Sequence, residues 1–356
     1  MDNQKRVLIV GAGPTGLTAA VELARRGIIP TVIDKKTSAS TLSRAVGIIP
    51  DSLKIFEASG MTEKLLSAGI KIYNGHLHFD TKEVLELQFQ GVAHPYDFLL
   101  SLPQDQTESI LSQTLASLGG QVTYGQELTD LKEVNGKIQA TLNNKNIIEA
   151  DYLIGADGIR SNVRKCINID YPGIDLEEIW SIADIDAINW PFDKSVSIYR
   201  HNDNANVTFI IPIAKNRYRI VSNTADALKT LPVPIDVTQT HRQGTFNISV
   251  RQAESYQKGN IFLAGDAAHC HSPVGGRGMN LGIADAAKLA ELIAENNTEN
   301  YTKERHDAGK AIVQASEKAR LLMTNPNKSF MLKTVIKVAS MISPIKKSAA
   351  KAMLGV

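Results

Sequence analysis

Glycines near the start of the sequence have the spacing of a turn that binds a dinucleotide. Gly11, Gly13 and Gly16 form the pattern Gly-x-Gly-x-x-Gly directly after a short apolar run. The first glycine permits the bend, the second lets the backbone approach a pyrophosphate, and the third lets the next helix pack on the strand. Asp34 follows about 20 residues later, where a carboxylate can accept hydrogen bonds from a ribose diol. The spacing therefore predicts FAD or NAD, rather than NADP, at this turn.

An acid, a glycine-rich loop and a helix start follow one another in the second half of the chain. Residues 261–264 are apolar and suit a buried strand, which Gly265-Asp266 ends. A loop rich in glycine and proline covers residues 273–278, and apolar residues at helical spacing begin at Met279. The free N–H groups and positive dipole end of such a helix favour an anion or an electron-rich heterocycle.

A third turn of this type contains Asp157 and Gly158. Residues 152–154 predict a buried strand, and a helix begins after the turn with Ser161 as its cap. An aspartate and nearby arginines beside an open cleft could hold the ribose and phosphates of a second nucleotide. A purely structural Asp-Gly turn is the alternative at this point.

Together the three stretches resemble the class A flavoprotein monooxygenases, the family of p-hydroxybenzoate hydroxylase. They occur in the family's order and cover most of residues 5–165 and 259–320. The resemblance implies an α/β fold: a Rossmann-like FAD/NAD(P)-binding domain with an inserted β-rich substrate domain and C-terminal helices. The expected ranges are 1–70, 101–175 and 256–325 for the FAD-binding domain, 71–100 and 176–255 for the substrate domain, and 326–356 for the C-terminal helices.

The resemblance also implies how the second turn contacts the flavin. Gly265 and Asp266 would hold the ribityl chain of FAD, and the following loop and helix start would contact the isoalloxazine ring. Pro273 would lie in the loop that faces the flavin where oxygen reacts, which gives it a positioning role. We hypothesise that the backbone amides of residues 278–280 stabilise negative charge on the reduced flavin, because a helix start follows the glycine loop directly.

Other residues match the family's motifs outside that loop. Arg44, which an alanine follows, would lie beside the flavin and its pyrophosphate; a solvated surface charge is the simpler interpretation. Gln104 would reach the FAD, and Asp157-Gly158 would contact both FAD and NAD(P)H. The residues expected to bind cofactors are Gly11, Gly13, Pro14, Thr15, Gly16, Asp34, Lys35, Arg44, Gln104, Asp157, Gly158, Gly265, Asp266, Pro273, Gly276, Gly278, Met279 and Asn280.

The family's reaction, if it applies, needs few catalytic side chains. The resemblance implies bound FAD, with NADPH or NADH as co-substrate, and hydroxylation of an aromatic or polycyclic compound by O2 through a flavin C4a-hydroperoxide. The cofactor then carries the hard chemistry, so no acid, base or metal is predicted. His269-Cys270-His271 is not expected to bind metal, since a contiguous triplet rarely points three ligands at one ion.

Composition limits the other classes of function. The 356 residues contain 39 Lys plus Arg and 37 Asp plus Glu, which disfavours nucleic acid as a partner. Two cysteines cannot form a disulfide framework. No segment reaches the roughly 20 apolar residues that span a bilayer, and the lysines of the C-terminal helices are expected to face solvent. We expect a cytoplasmic monomer or homodimer without membrane contact.

Two further interpretations use the same FAD domain. The chain could be a flavin-dependent reductase or a halogenase-like enzyme, although the halogenase motif Trp-x-Trp-x-Ile-Pro is missing, since the two tryptophans are Trp180 and Trp190. Alternatively, it could bind flavin or a ligand without turnover. Oxygen uptake and NAD(P)H oxidation would distinguish these from a monooxygenase.

Overall fold

The computed structural model describes residues 5–41, 43–202, 204–231, 233–328, 333–334, 336–337 and 341–356. The sequence also predicts a helix over residues 330–342, most of which lies outside the described residues.

A six-stranded sheet has the order β18-β19-β12-β1-β2-β8, and the three motif-bearing stretches supply four of its strands, β1, β2, β12 and β19. Strand β1 pairs in parallel with β12 on one side and β2 on the other, and every residue of β1 is buried. Buried apolar strands of this kind are typical of parallel sheets covered on both faces. The strands are β1 (Val7–Val10), β2 (Thr31–Asp34), β8 (Val122–Tyr124), β12 (Tyr152–Gly155), β18 (Gln257–Lys258) and β19 (Ile261–Leu263).

Helices pack on this sheet and on one another. Helix α1 (Pro14–Ala24) packs against both α4 (Gln104–Ser117) and α6 (Gly278–Glu295), and buried side chains from all three join the main hydrophobic core. The remaining described helices of more than three residues are α2 (Pro50–Glu57), α3 (Met61–Ala68), α5 (Asn162–Cys166), α7 (Tyr301–Thr324) and α8 (Ser343–Leu354).

The second large sheet has eight strands in the order β20-β17-β13-β16-β15-β14-β5-β6. Its neighbours are mostly antiparallel, but β14 pairs in parallel with β5, which joins two stretches of chain more than a hundred residues apart. The strands are β5 (Asn74–Phe79), β6 (Lys82–Gln88), β13 (Gly173–Ile188), β14 (Ser195–Arg200), β15 (Val207–Ala214), β16 (Arg217–Ser222), β17 (Asp236–Gln252) and β20 (His269–Cys270).

Two strands of this sheet differ from the sequence-based expectation. The sequence predicts a strand over residues 245–251, whereas β17 already begins at Asp236, within the polar stretch 223–244. The long strand β13 has no counterpart among the predicted strands. These two strands pair with each other over most of their length. The pairing stabilises an extended conformation that the residues of the two strands predict only weakly by themselves.

Two smaller sheets have three strands each. Strands β9 (Leu128–Val134), β10 (Lys137–Leu142) and β11 (Ile147–Ala150) form an antiparallel meander, and β3 (Gly47–Ile48), β7 (Leu99–Ser101) and β4 (Ile70–Ile72) form another sheet. The turn between β9 and β10 is the predicted Asn135-Gly136 hairpin. Both residues have positive φ, +51° and +70°, as a turn matched to the twist of the strands requires.

Helix α8 packs on the eight-stranded sheet. Ala350 and Leu354 are buried in a cluster that includes Leu87 of β6 and Val196 of β14. Lys347 and Lys351 on this helix are exposed. Within the described part of the chain, every helix is too short or too polar to cross a membrane.

Candidate functional site

The first glycine turn is shaped by close approach of backbone atoms. Gly11 has φ +108°, and a Cβ placed on it would lie 2.3 Å from the carbonyl oxygen of Ala156. A Cβ on Gly16 would lie 1.8 Å from the carbonyl oxygen of Gly11. Gly13 differs, since no heavy atom lies within 4 Å of its Cβ position. Gly11 and Gly16 are therefore needed for close packing, whereas Gly13 leaves open space at the start of α1.

The N-terminus of α1 is available to an anion. Pro14 occupies its first turn, no described side chain caps the helix, and its first turn contains no acid. The unsatisfied N–H groups and the positive end of the helix dipole therefore lie beside the open space at Gly13. This arrangement fits a pyrophosphate.

Asp34 holds the glycine turn together. Its side chain is nearly buried, Oδ2 accepts a hydrogen bond from Ala12 N at 2.8 Å, and Oδ1 accepts one from Lys36 N at 2.8 Å. A carboxylate oxygen can accept more than one bond, so Asp34 retains capacity for a ribose hydroxyl. The neighbouring Lys35 is exposed, with Nζ 4.0 Å from Glu127 Oε1.

The second turn lies directly against the first. A Cβ on Gly265 would lie 2.5 Å from Thr15 Oγ1, and a Cβ on Gly282 would lie 2.3 Å from the same atom. The absence of side chains at these two glycines thus lets α6 and the end of β19 meet the start of α1. Asp266 lies in a short 3-10 turn at this junction, and its side chain is exposed. The structure therefore brings the predicted Gly265-Asp266 motif to the first glycine turn.

The loop before α6 turns sharply and stays open to solvent. Gly276 N donates to the carbonyl oxygen of Pro273 at 2.9 Å, and Gly275 and Gly276 have φ of +96° and +64°. Pro273 and Gly276 are exposed. Helix α6 then begins at Gly278 with no cap from a described side chain and no acid in its first turn. The helix therefore presents uncapped amides next to this loop.

The side chain of Asn280 is already occupied within the protein. It is almost fully buried, and its Oδ1 accepts from Ile49 N at 3.0 Å and Ser52 Oγ at 2.9 Å. Its Nδ2 donates to the carbonyl oxygens of Gly47 at 2.9 Å and Gly276 at 3.1 Å. The predicted cofactor contact at Asn280 is therefore left to its backbone amide. Met279 beside it packs partly against the main core.

Gln104 fixes the loop that carries Arg44. Its Oε1 accepts from Ala45 N at 3.1 Å, and its Nε2 donates to Glu108 Oε1 at 2.8 Å. Burial raises the pKa of Glu108 above its ordinary value, against the lowering effect of that hydrogen bond. The Arg44 side chain is exposed, while its carbonyl oxygen accepts from Arg219 Nη1 at 3.0 Å. Gln104 therefore supports the Arg44 loop through its side chain.

Asp157 caps α5 as well as lying near the site. Its Oδ2 accepts from Asn162 N at 2.7 Å and Val163 N at 3.2 Å, and burial raises its pKa. Gly158 has φ +80°, as the sharp turn requires. Ser161 accepts from Arg164 N at 2.9 Å, as predicted for a cap. The Asp157-Gly158 turn therefore has a structural role, because it holds the start of α5.

Arg164 is part of the protein interior rather than an exposed arm. Its Nη1 donates to the carbonyl oxygen of Ala267 at 2.7 Å, and its Nη2 donates to that of Ile159 at 2.7 Å. It therefore ties the third turn to the second. Arg160 is the exposed arginine of this segment.

A triad formed by the buried Asp285 with His269 and Arg305 supports the second turn, and the sequence analysis missed it. Asp285 is fully buried, its Oδ1 lies 2.7 Å from Arg305 Nε, and its Oδ2 lies 2.5 Å from His269 Nε2. The same Oδ2 accepts from Gly265 N at 3.2 Å. Burial alone would raise the pKa of Asp285, but His269 and Arg305 outweigh it and lower the pKa. An acid within the apolar stripe of α6 was the available signal.

A second buried ion pair joins the eight-stranded sheet to the Arg44 loop. Arg219 is almost fully buried and binds both carboxylate oxygens of Asp184 at 2.7 Å. Its Nη1 also donates to Ser43 Oγ at 3.2 Å. Bidentate pairs of this kind fix geometry as well as charge. The sequence shows these two residues far apart, and only strand pairing brings them together.

The His269-Cys270-His271 triplet spreads over different environments. His269 contacts Asp285, whereas His271 Nδ1 lies 2.8 Å from the carbonyl oxygen of Ser272. Burial raises the pKa of the Cys270 thiol to about 11. Among the described residues, no group of three or more His, Cys, Asp or Glu side chains could hold a metal ion.

Comparison with known sequences supports the motifs. The family described as FAD binding domain matches residues 4–242 and 225–316. An uncharacterized aromatic compound monooxygenase of Bacillus subtilis is 30% identical over 341 residues, 87% of this chain and 67% of the relative. Pentachlorophenol 4-monooxygenase of Sphingobium chlorophenolicum is 33% identical over 312 residues, 81% of this chain and 58% of the relative. The chain thus spans between 58% and 67% of the length of these two relatives.

Comparison with solved structures supports the fold. The p-nitrophenol 4-monooxygenase PnpA from Pseudomonas putida DLL-E4 has a TM-score of 0.87, at 16% identity, over 99% of both chains. The match agrees with the α/β architecture, and the family matches extend across all three turns at the site. On these grounds the chain belongs to the FAD-dependent monooxygenase family that contains the aromatic hydroxylases.

Proposed function

We propose that this chain is an FAD-dependent, NAD(P)H-consuming monooxygenase that hydroxylates an aromatic or polycyclic small molecule. The observation that carries the proposal is the contact between the first two turns. Gly265 packs against Thr15, so the exposed Asp266 and the open space at Gly13 lie at the same place in the fold. The names of the relatives, such as pentachlorophenol 4-monooxygenase and rifampicin monooxygenase, support a ring system as substrate.

The residues present fit FAD. The uncapped start of α1 and the carboxylate of Asp34 suit the pyrophosphate and adenosine ribose, and Asp266 suits the ribityl hydroxyls. Bound FAD would supply hydride acceptance and the activation of dioxygen. The uncapped amides at the start of α6 would stabilise negative charge on the reduced ring, since their dipole end is positive. Pro273, exposed in the preceding loop, would position the reacting groups.

The proposal keeps the domain ranges given by the sequence. Residues 1–70, 101–175 and 256–325 would bind FAD, residues 71–100 and 176–255 would hold the substrate, and 326–356 would form C-terminal helices. The exposed side chain of Arg44 is a candidate contact for the pyrophosphate of FAD, and that of Arg160 is a candidate contact for the phosphates of NADPH or NADH.

The test is reduction of the FAD-loaded protein, followed by oxygen consumption. Flavin reduction by NADPH and by NADH is timed in stopped flow, with and without phenols and polyketide-like aromatics. We expect at least one compound to accelerate reduction, to couple it to oxygen uptake, and to gain one oxygen atom by mass spectrometry. Reduction without oxygen transfer to any compound would favour a reductase, and no reduction by either nucleotide would favour a binding module.

A single-residue test addresses the helix-start hypothesis. A Cβ on Gly278 would lie 3.9 Å from His271 Nε2, so the protein itself accommodates alanine there. Gly278→Val should weaken FAD binding or slow flavin reduction because the added methyls occupy the space before the amides. Gly244→Ala on β17 is the control, since no heavy atom lies within 4 Å of its Cβ position. Unchanged affinity and rate in Gly278→Val would contradict the hypothesis.

A further inference from the structure

The charges of this chain are distributed unevenly along its sequence. Residues 318–356 contain eight lysines and arginines and no aspartate or glutamate. Since the whole chain has 39 basic and 37 acidic residues, the preceding 317 residues contain 31 basic and 37 acidic ones. Residues 318–356 therefore carry a formal charge of +8, and the rest of the chain carries −6. A local excess of this size can attract an anionic partner even though the chain as a whole is nearly neutral.

Only part of this positive charge is neutralised within the protein. Arg320 is buried and forms ion pairs with Glu178 and Glu317. Lys347 and Lys351, on α8, are exposed, and no described acidic side chain pairs with either of them. The positive charge on α8 is therefore available to a partner outside the described chain.

Large apolar side chains are exposed next to these lysines. Met341 is 74% exposed, and Ile342 and Ile345 are each 44% exposed. Adjoining apolar side chains that stay in solvent indicate an interaction surface more often than isolated ones do. We define the basic-apolar patch by six residues on α8 and directly before it: Met341, Ile342, Ile345, Lys346, Lys347 and Lys351.

Helix α8 uses its other side to pack on the protein. Ala350 and Leu354 are buried in the cluster beside the eight-stranded sheet. Ile345 lies five residues before Ala350, which places it about 140° away around the helix, and Lys351 lies about 100° away from Ala350. The patch residues Ile345 and Lys351 therefore point away from the sheet on which α8 packs.

The helix that carries the patch also contacts the candidate site. Nη2 of Arg277, in the loop before α6, donates to the carbonyl oxygen of Ala352 on α8. A partner that binds α8 from outside therefore lies one helix away from this loop.

We propose that the basic-apolar patch attaches this protein to the surface of a membrane that contains anionic lipids. The lysines attract the lipid phosphates and carboxylates, and the three apolar side chains enter the boundary between headgroups and acyl chains. Nucleic acid fits the patch less well, because it would leave these apolar side chains in water. The contact is with the membrane surface, since every described helix is too short or too polar to cross a membrane.

The proposal changes one expectation drawn from the sequence. The lysines of the C-terminal helices were expected to face solvent without membrane contact. The exposure of Lys347 and Lys351 agrees with the first part, whereas the exposed apolar side chains beside them argue against the second. The proposal does not depend on the monooxygenase activity.

The experiment is cosedimentation of the FAD-loaded full chain with lipid vesicles. One set contains equal parts of phosphatidylcholine and phosphatidylserine, and the other contains phosphatidylcholine alone. We expect the protein to sediment with the anionic vesicles and to stay in solution with the neutral ones. A lysine near an anionic surface strengthens attachment about fivefold, so the double variant Lys347→Gln with Lys351→Gln should bind the anionic vesicles about 25-fold more weakly.

A matched control removes the same charge elsewhere. Lys303 and Lys310 are exposed on α7, with the acidic Glu304 and Asp307 between them in the sequence. The double variant Lys303→Gln with Lys310→Gln should change vesicle binding by less than about twofold, because the patch is intact. An equal effect of the two double variants would show that only net charge matters and would contradict a specific patch.

Salt separates the charged contribution from the apolar one. The Debye length falls from about 8 Å at physiological ionic strength to about 3 Å at 1 M salt, so the contribution of the lysines should largely disappear. We expect the unmodified protein to keep some binding to anionic vesicles at 1 M salt. The double variant Met341→Ser with Ile345→Ser should lose this residual binding, because it removes the side chains that enter the bilayer.

Several outcomes would overturn the proposal. These are no binding to anionic vesicles, equal binding to both kinds of vesicle, and unchanged binding in Lys347→Gln with Lys351→Gln. Tighter binding to a single-stranded RNA than to the vesicles, unaffected by Met341→Ser with Ile345→Ser, would assign the patch to nucleic acid instead. The comparison of the two vesicles uses the unmodified protein, so it does not depend on the folding of a variant. Flavin reduction and oxygen uptake test the proposed function separately.

Discussion

The six-stranded and eight-stranded sheets present different surfaces to the candidate site. The first offers backbone, because Gly11, Gly13 and Gly16 remove side chains where the chain turns. The second offers side chains, such as the buried Arg219, which donates to Ser43 and to the carbonyl oxygen of Arg44. Backbone recognition depends on a few neighbouring residues, whereas side-chain recognition depends on the register of distant strands. Substitutions at the glycine turns of the first sheet should therefore be poorly tolerated, whereas substitutions in the second sheet should reduce stability in a graded way.

The largest effect is expected at the most crowded glycine. Gly16→Ala places a Cβ 1.8 Å from the carbonyl oxygen of Gly11, so the turn must move. We expect a loss of about 3 kcal/mol in the free energy of unfolding and loss of bound FAD, measured by denaturation and flavin content. Gly13→Ala is the control, since it meets no protein atom and should lower FAD affinity without destabilising the apoprotein. Equal destabilisation by the two variants would contradict the conclusion that Gly16 is needed for packing and Gly13 is not.

The buried triad should follow closely. Asp285→Asn removes the buried charge that balances Arg305, and because the Arg305 side chain keeps some exposure to solvent, the loss should be about 2–3 kcal/mol, below the full cost of an unpaired buried charge. We expect a large drop in unfolding free energy and weaker FAD retention, since Gly265 N also depends on this carboxylate. Glu291→Gln on the same helix removes a solvent-accessible pair with Lys288 and should cost less than about 1 kcal/mol. Similar losses in the two variants would contradict the role of burial.

An intermediate effect is expected at the sheet's own buried pair. Arg219→Lys replaces a bidentate fork with a single ammonium, so Asp184 and Ser43 lose bonds and unfolding free energy should fall by about 2 kcal/mol. Arg217→Lys, two residues earlier on β16, affects a partly exposed pair with Asp186 and should cost less than about 1 kcal/mol. Chemical denaturation of both variants measures the difference. A larger loss in Arg217→Lys would reverse the expected order.

The smallest expected effect is a pH dependence of stability that comes from Asp186 in its partly exposed pair with Arg217. Hydrogen bonds from Arg217 and His241 lower the pKa of Asp186 to about 2. Because the folded pKa lies below the ordinary value of about 4, the carboxylate contributes stability above that value, and the contribution disappears as pH falls towards 2. The stability difference between the unmodified protein and Asp186→Asn should shrink between about pH 5 and 2 and stay below about 1 kcal/mol. A difference that grows as pH falls would contradict this sign.

Much of the first sheet could be predicted from short stretches of sequence. The strand, turn and helix around Gly11 and the cap at Ser161 depend on residues close together in the chain, and the structure has them. The Asn135-Gly136 hairpin is equally local. The roles of Asp34 and Asn280 were less visible, because their side chains are engaged by backbone groups that the motif does not specify.

The sequence by itself therefore determined the glycine turns, the local strand–turn–helix units and the family to which they belong. Local spacing was enough because φ preferences and hydrogen bonds to near neighbours decide those units. Only the tertiary structure decided that β14 pairs with β5, that Asp285 meets Arg305, and that Trp180 packs in one apolar cluster with Val274. These contacts join residues far apart in the chain, and their energies depend on burial and strand register, which exist only after the chain has folded.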